Sequence, residues 1–325
     1  MGIERVYAAA SPSGRDIHVD APLTNLAIKA FDGGAYNIAP IICPPVPVGK
    51  QSDKYFVIDP DSWLRIPDTR RSPKTSPNQF DWKVSSDSYF ADNFALRGDN
   101  AFEDLSNEDV AIGLRENTTG VITEALMRDW ENRVATTITS VSNVGSGVVL
   151  SGVNKWSDFV GSDPIADVTT GHAFIRQKTG LVANTMVIDQ DTYNVVRRHP
   201  LLLDMFKYTS GGLITDDQLR SVFGVDQILI GKGVKNNAVE NATASMTNIW
   251  GNNVVLARVV PAITKQTATF MLGFRWQPAN MPGPFQVLRY NDADPGKKVE
   301  WVEAGYYQDE KIVAKNLAYA ITTTL

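Results

Sequence analysis

The segment Asn184-Thr-Met-Val-Ile-Asp189 opens the stretch that decides the fold of this chain. Its centre is apolar and β-branched between polar residues, which predicts a short buried strand. Helical sequence follows from Asp191 to Arg198, and a second short helix is predicted from Asp216 to Phe223. Val225 to Ile230 predicts another strand. This alternation of strands and helices indicates one compact α/β layer.

The sequence offers no set of catalytic or metal-binding side chains. The segment Asn236 to Asn253, after the α/β layer, is long, polar and rich in small residues. The three histidines, His18, His172 and His199, are far apart and lack metal-binding spacing. We interpret His199 as a structural residue whose cation would suit a helix end, and His172 as a surface or capping residue. No nucleophile elbow or complete phosphate loop occurs. The sequence therefore predicts a protein that is not an enzyme and has no cofactor and no bound metal.

Composition argues against several other classes. The 325 residues include 31 Lys and Arg against 36 Asp and Glu, a net charge of -5, whereas proteins that bind nucleic acid by neutralising phosphates are usually basic. No run of 18 or more apolar residues occurs, so no membrane span is expected. The polar segment Met1 to Arg15 does not fit a signal peptide. The single cysteine, Cys43, cannot form an internal disulfide and is predicted to be a small apolar residue.

A proline-rich segment near the N-terminus predicts a long hairpin. Ten of the 17 prolines fall before residue 78, and proline does not pair within a central strand. Tyr55 to Ile58 nevertheless predicts a strand, and Phe80, Trp82 and Val84 alternate with polar residues, which predicts a second strand. The polar tip between them runs from Pro67 to Pro77. A small hairpin cannot bury so many aromatic residues by itself, so it packs either on its own domain or on another molecule.

A long amphipathic helix is predicted after the hairpin, with Ser106 as its N-cap. Apolar residues then recur at steps of three or four and make one stripe. They are Ile122, Leu126, Trp130, Val134, Ile138 and Val141. Glu131 is predicted to belong to the polar surround of this stripe. Gly120 weakens the helix by about 1 kcal/mol relative to alanine, which would allow a bend or a break near that residue.

The remaining elements are one helix and a β-rich C-terminal part. Asp163-Pro164 predicts the start of a helix that runs to about Lys178, because proline suits the first helical position. Strands are predicted at Thr267 to Trp276, Phe285 to Tyr290, Val299 to Val302 and Ile312 to Ile321. Turn residues separate them. We predict that these strands pair beneath the long helix.

Several short segments follow one another in an order that is itself informative. They are Asn184-Thr-Met-Val-Ile-Asp189, His199-Pro-Leu-Leu202, Lys207-Tyr208, Phe223-Gly-Val-Asp226, Asn237-Ala-Val-Glu240, Ile249-Trp-Gly-Asn252, Val254-Val-Leu-Ala257, Gly305 to Val313 and Ala318-Tyr319. No single segment is diagnostic. As an ordered series they resemble the major capsid proteins of tailed bacteriophages, which share the HK97-type fold. The first third of the chain resembles that family in character rather than in residues.

The resemblance implies an α+β, HK97-like capsid fold with four parts. Residues 1–39 would form an extended N-terminal arm, and residues 40–97 a projecting β-hairpin, the E-loop. Residues 98–164 and 265–325 would form a peripheral domain, in which the long helix is the spine helix and lies on a β-sheet. Residues 165–264 would form an axial α/β domain.

The function that the resemblance implies is self-assembly into the icosahedral head enclosing the double-stranded DNA of a tailed phage, without sequence-specific DNA binding. Implied partners are further copies of the chain in pentamers and hexamers, a scaffolding protein, a portal and a decoration or cement protein. The implied location is the virion, after assembly in the host cytoplasm. Two alternatives stay open: an encapsulin-like compartment shell of the same fold, and an unrecognised two-domain hydrolase or binding protein.

Candidate contacts between subunits lie in the hairpin and in the polar segment of the axial domain. They are Trp63, Arg70, Arg71, Lys74, Trp82, Asn237, Asn241 and Trp250. For each charged residue, the alternative is a solvated surface charge that contributes little to stability.

Overall fold

The computed structural model of the chain describes residues 18–19, 23–24, 27, 37–58, 64–81, 84–107, 113–206, 214–239, 242–260, 268–278, 283, 285–294 and 296–325. The α-helices with described bounds are α1 (Ala39–Ile42), α2 (Phe102–Ser106), α3 (Leu114–Thr139), α4 (Pro164–Thr179), α5 (Gln190–Val196), α6 (Pro200–Phe206) and α7 (Asp216–Phe223). The strands are β1 (His18–Val19), β2 (Pro45–Val48), β3 (Ser52–Ile58), β4 (Val84–Phe90), β5 (Asp92–Ala101), β6 (Ser146–Val149), β7 (Thr185–Asp189), β8 (Gln227–Gly231), β9 (Val234–Asn236), β10 (Met246–Asn248), β11 (Asn253–Ala257), β12 (Met271–Trp276), β13 (Gln286–Asn291), β14 (Val299–Ile312) and β15 (Ala318–Thr322).

The predicted α/β layer is confirmed. All five residues of β7 are buried, and β7 pairs in parallel with β8. Between these strands, α7 begins with a capping box in which Thr215 and Gln218 each bond the other's backbone N–H. Gly224 ends this helix with a φ of 64°, in the left-handed region that glycine adopts without strain. The local sequence signals at both ends of α7 therefore set its bounds.

The layer belongs to a five-stranded sheet in the order β6-β15-β11-β7-β8. A strand is confirmed in the C-terminal part of the predicted range, and the spine helix contacts it, but β15 pairs with β11 and β6, so the prediction that it pairs with the other C-terminal strands is wrong. The chain leaves the other sheet at the end of β14 and crosses into this one. The reason lies in the burial pattern: four of the five residues of β15 are buried, as in a central strand covered on both faces, whereas β14 alternates between buried and half-buried residues.

The second large sheet contains six strands, in the order β1-β13-β14-β12-β2, with β5 pairing alongside β14. The predicted strand Val299 to Val302 is the beginning of β14, which has 14 residues and pairs with three neighbours. Its length lets it bind β13 along its first half and β12 along its second half. Parallel pairing of β2 with β12 adds an edge strand that contains two prolines, which edge strands tolerate.

Helix α3 is the predicted long helix, and we call it the spine helix. Ile122 to Ile138 of the predicted stripe are buried, and the helix contacts both large sheets. Ser106 is not its N-cap: it is the last residue of α2, and the spine helix begins at Leu114 after Gly113. The helix also runs through Gly120 without a break, because packing of its apolar face outweighs the weak propensity of one residue.

An ion pair ties the spine helix to the six-stranded sheet. Arg133 Nη2 lies 2.9 Å from Glu310 and donates to Tyr306 Oη at 3.0 Å. The guanidinium carbon also lies 3.7 Å from the centre of the Phe94 ring. Since the guanidinium is mostly buried and has several partners, this contact fixes the position of the helix along β14.

Candidate assembly surfaces

The hairpin of β3 and β4 rests on the six-stranded sheet only near its base, as far as the described residues go. The Tyr89 ring stacks on Phe274 with centroids 4.5 Å apart, and the Tyr55 ring lies 5.0 Å from the same phenylalanine. The backbone N–H of Phe90 donates to Asp309 at 2.9 Å. These contacts anchor the base, and the ribbon extends beyond them.

Apolar side chains beyond the base are largely in solvent. Phe56 is 79% exposed and Ile66 is 94% exposed, and Leu64 and Phe80 are exposed as well. The Leu64 side chain does approach the end of α4, 3.3 Å from the position that a β-carbon on Gly180 would occupy. The described residues of the hairpin thus touch the rest of the chain at the base and at Leu64, and Phe56 and Ile66 stay uncovered.

The second strand of the hairpin begins later than predicted. β4 starts at Val84, and Phe80 lies outside any strand. Alternating polarity therefore did not make Phe80 part of a strand; the outermost described pair of the ladder joins Ile58 to Val84. Trp63 and Trp82, two of the predicted contact residues, lie outside the described residues.

The tip of the hairpin presents cations. Arg70, Arg71 and Lys74 are all exposed. Arg71 Nε donates to the backbone oxygen of Thr75 at 2.6 Å, and the backbone N–H of Arg70 donates to Asp68 at 2.9 Å. These bonds shape the turn and leave the positive charge facing solvent.

A second exposed hairpin leaves the five-stranded sheet after β8. We call residues 232–252 the tip hairpin; it contains β9 and β10, which pair antiparallel. Asn237 is exposed, and its Nδ2 donates to Thr247 Oγ1 at 2.9 Å. Asn241 lies outside the described residues.

Trp250, at the base of the tip hairpin, is a core residue. It is only 1% exposed, and a β-carbon on Gly231 would lie 2.2 Å from its indole ring. Its Nε1–H donates to the carboxylate of Glu131. The prediction that Trp250 contacts another subunit is therefore wrong, because the indole is enclosed by its own chain.

Glu131 joins three parts of the molecule. Its carboxylate also accepts the backbone N–H of Ala39 at 2.8 Å, so it connects the spine helix with both the start of α1 and the tip hairpin. The side chain is buried rather than part of the polar surround, and burial raises the pKa of Glu131 to about 7 although its hydrogen bonds act to lower it. Sequence reasoning missed this joint, because its partners lie far away along the chain.

One serine and one histidine are close, in an arrangement that does not suit catalysis. Ser162 Oγ lies 3.0 Å from His199 Nε2, and Ser162 also donates to the backbone oxygen of Asp158 at 2.6 Å. Both side chains are buried, and among the described residues His199 Nδ1 has no hydrogen-bond partner that would orient the ring for catalysis. Burial lowers the pKa of His199, so the prediction of a cation there is wrong and the ring is neutral at pH 7.

His172 has a capping role, one of its two predicted uses. Its Nε2 lies 2.8 Å from the backbone oxygen of Phe223, the last residue of α7. Cys43 is confirmed as a small buried residue, and burial raises the pKa of its thiol well above the usual range.

Neither a metal cluster nor a membrane-spanning helix occurs in the part of the chain that the structure describes. Within those ranges no group of three or more His, Cys, Asp and Glu side chains is arranged to hold a metal ion. None of the helices with described residues is long and apolar enough to cross a membrane.

Solved structures with the same architecture include a phage-related protein and a phage capsid. A phage-related protein from Bordetella bronchiseptica RB50 superimposes with a TM-score of 0.72 at 20% identity, covering 94% of this chain and 97% of that one. The mature capsid of bacteriophage PhiM1 superimposes with a TM-score of 0.56 at 10% identity, covering 89% and 88%. The fold is therefore the HK97-type capsid fold, of mixed helices and sheets.

Curated relatives extend the comparison to sequence. The major capsid protein of Burkholderia phage BcepMu is 30% identical over 244 residues, which are 74% of this chain and 76% of that protein. The major capsid protein of Pseudomonas phage JBD67 is 26% identical over 263 residues, 79% of this chain and 83% of that protein. No family model matches the chain.

A fold of this kind, whose hairpins leave apolar side chains uncovered, defines a protein that forms shells. In the described part of the chain, no accessible group is arranged for catalysis. The chain belongs to the family of phage major capsid proteins. Its location is the capsid of the virion, where it associates with further copies of itself. The encapsulin-like alternative is not favoured, and the hydrolase alternative has no support from the geometry of Ser162 and His199.

Proposed function

We propose that copies of this chain assemble into an icosahedral head that encloses the double-stranded DNA of a tailed phage, and that the subunit catalyses no reaction. One observation carries the proposal: the hairpin of β3 and β4 leaves Phe56 and Ile66 in solvent. Apolar side chains on a ribbon that its own domain does not cover need another surface, and a neighbouring subunit supplies it.

The energy available from covering this hairpin is appreciable. Full burial of a phenylalanine or isoleucine side chain contributes about 1.5 to 3 kcal/mol. Because Phe56 is already 21% covered, its share on assembly is about 1 to 2 kcal/mol. Repeated once per subunit around a shell, contacts of this size make a closed particle stable while each single contact stays reversible.

Charge at the hairpin tip and over the whole chain supports the same function. We assign Arg70, Arg71 and Lys74 to ion pairs with a neighbouring subunit that contribute orientation more than energy, as exposed pairs do. The net charge of -5 favours a wall that does not adhere to packaged DNA and binds no particular sequence. A scaffolding protein, a portal and a decoration or cement protein are the further partners of this proposal, with assembly in the host cytoplasm.

The division of labour follows the two large sheets. We assign the peripheral role to the six-stranded sheet with the spine helix, and the axial role to the five-stranded sheet with the tip hairpin. Strands β6 and β15 pair within the five-stranded sheet, so the axial unit includes residues 146–149 and 318–322 besides residues 165–264. Trp63, Trp82, Asn237 and Asn241 remain proposed contacts between subunits.

Imaging of the purified chain tests the proposal. Wild-type protein, expressed with the scaffolding protein of its own genome, is expected to form closed particles of uniform size by electron microscopy. Phe56→Ser is expected to raise the critical subunit concentration for assembly about 5- to 30-fold, the equivalent of 1 to 2 kcal/mol. Lys54→Ser is the matched control, since Lys54 is exposed on the same strand and the same face of the ribbon.

Two results would contradict the proposal. Wild-type protein that stays monomeric at every concentration, with or without scaffold, would exclude shell assembly. If Phe56→Ser protein assembles at the same critical concentration as wild type, shell assembly is upheld, but the hairpin is not one of the contacts that stabilise the shell.

A further inference from the structure

Two exposed segments leave the five-stranded sheet at the same end and from opposite edges. Among the described strands, β6 and β8 lie at the two edges of the sheet, and both run in the same direction as β15 and β7, so their carboxyl ends lie at the same end of the sheet. Residues 150–163 follow β6, and we call them the acidic loop. The tip hairpin follows β8. The five-stranded sheet thus carries a different segment at each edge.

Both segments expose apolar side chains. In the acidic loop, Val160 is 98% exposed, and Val153 and Phe159 are exposed too. In the tip hairpin, Val239 is 78% exposed, and Met246 is exposed as well. The Phe159 ring packs edge-on against His199 with centroids 5.5 Å apart, but Val160 and Val239 stay uncovered by the described parts of the chain, so each segment carries an apolar patch without a partner.

The two segments carry opposite charge. The acidic loop has Asp158 and Asp163 against Lys155, and the amine of Lys155 donates to the backbone oxygen of Leu325 at 2.7 Å. Asp158 accepts the backbone N–H groups of Val160 and Gly161, which lower its pKa and keep it ionised. The tip hairpin has two lysines against one glutamate, and Lys232 is exposed. An acidic apolar patch therefore lies on one edge and a basic apolar patch on the other.

We propose that the acidic loop of one copy docks on the tip hairpin of the next copy around a ring. The proposal rests on the proposed function, since it requires shell assembly. A ring closed by rotation needs a heterologous contact, in which two different surfaces of the same chain meet. The sheet supplies such a pair of surfaces at its two edges, matched in apolar character and opposite in charge. A second copy of this chain is the occupant that both features fit.

Cross-linking tests the pairing in assembled particles. The double variant Val160→Cys/Val239→Cys, treated with a short bismaleimide, is expected to give a ladder of covalent oligomers on a denaturing gel, ending at the ring size. The two single variants are the controls and are expected to stay monomeric. The native thiol of Cys43 does not interfere because it is buried, and neither exposed valine supports the fold.

Assembly energetics give a second readout. Val160→Asp adds a carboxylate to the acidic patch and is expected to raise the critical concentration at least about tenfold, or 1.4 kcal/mol. Val121→Asp, at an exposed valine of the spine helix, is the matched control and should stay within about twofold of wild type.

The outcomes separate this proposal from the proposed function. Normal particles with no ladder of cross-linked oligomers in the double variant would overturn the pairing, while shell assembly would still hold. The same conclusion would follow if Val160→Asp raised the critical concentration no more than Val121→Asp does. Cross-linking of the Val160→Cys single variant to itself would show a two-fold contact and overturn the heterologous one. Wild-type protein without particles would instead overturn the proposed function.

Discussion

Replacing Glu131 with glutamine removes a charge from the joint between the spine helix, α1 and the tip hairpin. Glu131 is 2% exposed and accepts hydrogen bonds from Ala39 and Trp250. Burial raises its pKa to about 7, so between about pH 4.5 and 7 the folded chain binds a proton that the unfolded chain does not. The stability of the wild-type chain therefore rises through this window as the pH falls. Each pKa unit corresponds to 1.36 kcal/mol, so the gain from pH 8 to pH 5 is about 2 to 3 kcal/mol.

The glutamine side chain of the Glu131→Gln variant cannot titrate, and only one of its two polar atoms accepts a hydrogen bond. One of the two N–H groups therefore loses its acceptor, at a cost of about 1 to 3 kcal/mol that does not depend on pH. The quantity to compare is the difference in free energy of unfolding, wild type minus Glu131→Gln. We expect this difference to increase by about 2 to 3 kcal/mol as the pH falls from 8 to 5.

Urea unfolding of the unassembled subunit, followed by circular dichroism at several pH values, measures this difference. Glu124→Gln is the matched control, because Glu124 is exposed on the same helix; its difference from wild type supplies the baseline. All other titrating groups are shared and cancel in the comparison. A difference for Glu131→Gln that does not change with pH would refute the assignment of a buried, proton-binding carboxylate.

Three further outcomes follow from the core. Gly231→Ala should destabilise the subunit by about 1 to 3 kcal/mol in the same assay, since its β-carbon would lie 2.2 Å from the Trp250 ring; equal stability would show that the ring can move. Gly120→Ala should instead stabilise by about 0.5 to 1 kcal/mol, because no atom of a described residue lies within 4 Å of its β-carbon position in the spine helix; a loss would argue against an unbroken helix there. The buried His199 has a lowered pKa, so its contribution to stability is present above about pH 6.5 and is lost as the pH falls below that value. His199→Gln should remove that loss, and an unchanged pH profile would contradict a neutral buried ring.

Elements with strong local signals were predicted well from the sequence. The Asp163-Pro164 start of α4 and the Thr215 and Gly224 ends of α7 are confirmed, because capping involves residues only a few positions apart. The buried run of β7 is confirmed for a similar reason, since short runs of β-branched residues favour strands locally.

Predictions failed where distant residues decide. Ser106 has the chemistry of an N-cap, yet the spine helix begins beyond it. Trp250 stands in a polar segment that is typical of a surface, yet Gly231 leaves a space that its indole fills. A signal for Glu131 did exist: it stands directly after Trp130 on the apolar side of the spine helix, but a carboxylate there indicates a surface position until its donors are known.

Periodicity, caps and glycine positions in the sequence determined which segments became helices and strands, because those choices are made by neighbours along the chain. Only the tertiary structure decided that β15 leaves the sheet of β14, that Glu131 joins three distant segments, and that the ribbon of β3 and β4 keeps its apolar residues uncovered. Those outcomes depend on burial and on pairing between residues far apart in the chain, and a linear pattern does not record which of two surfaces a side chain will meet.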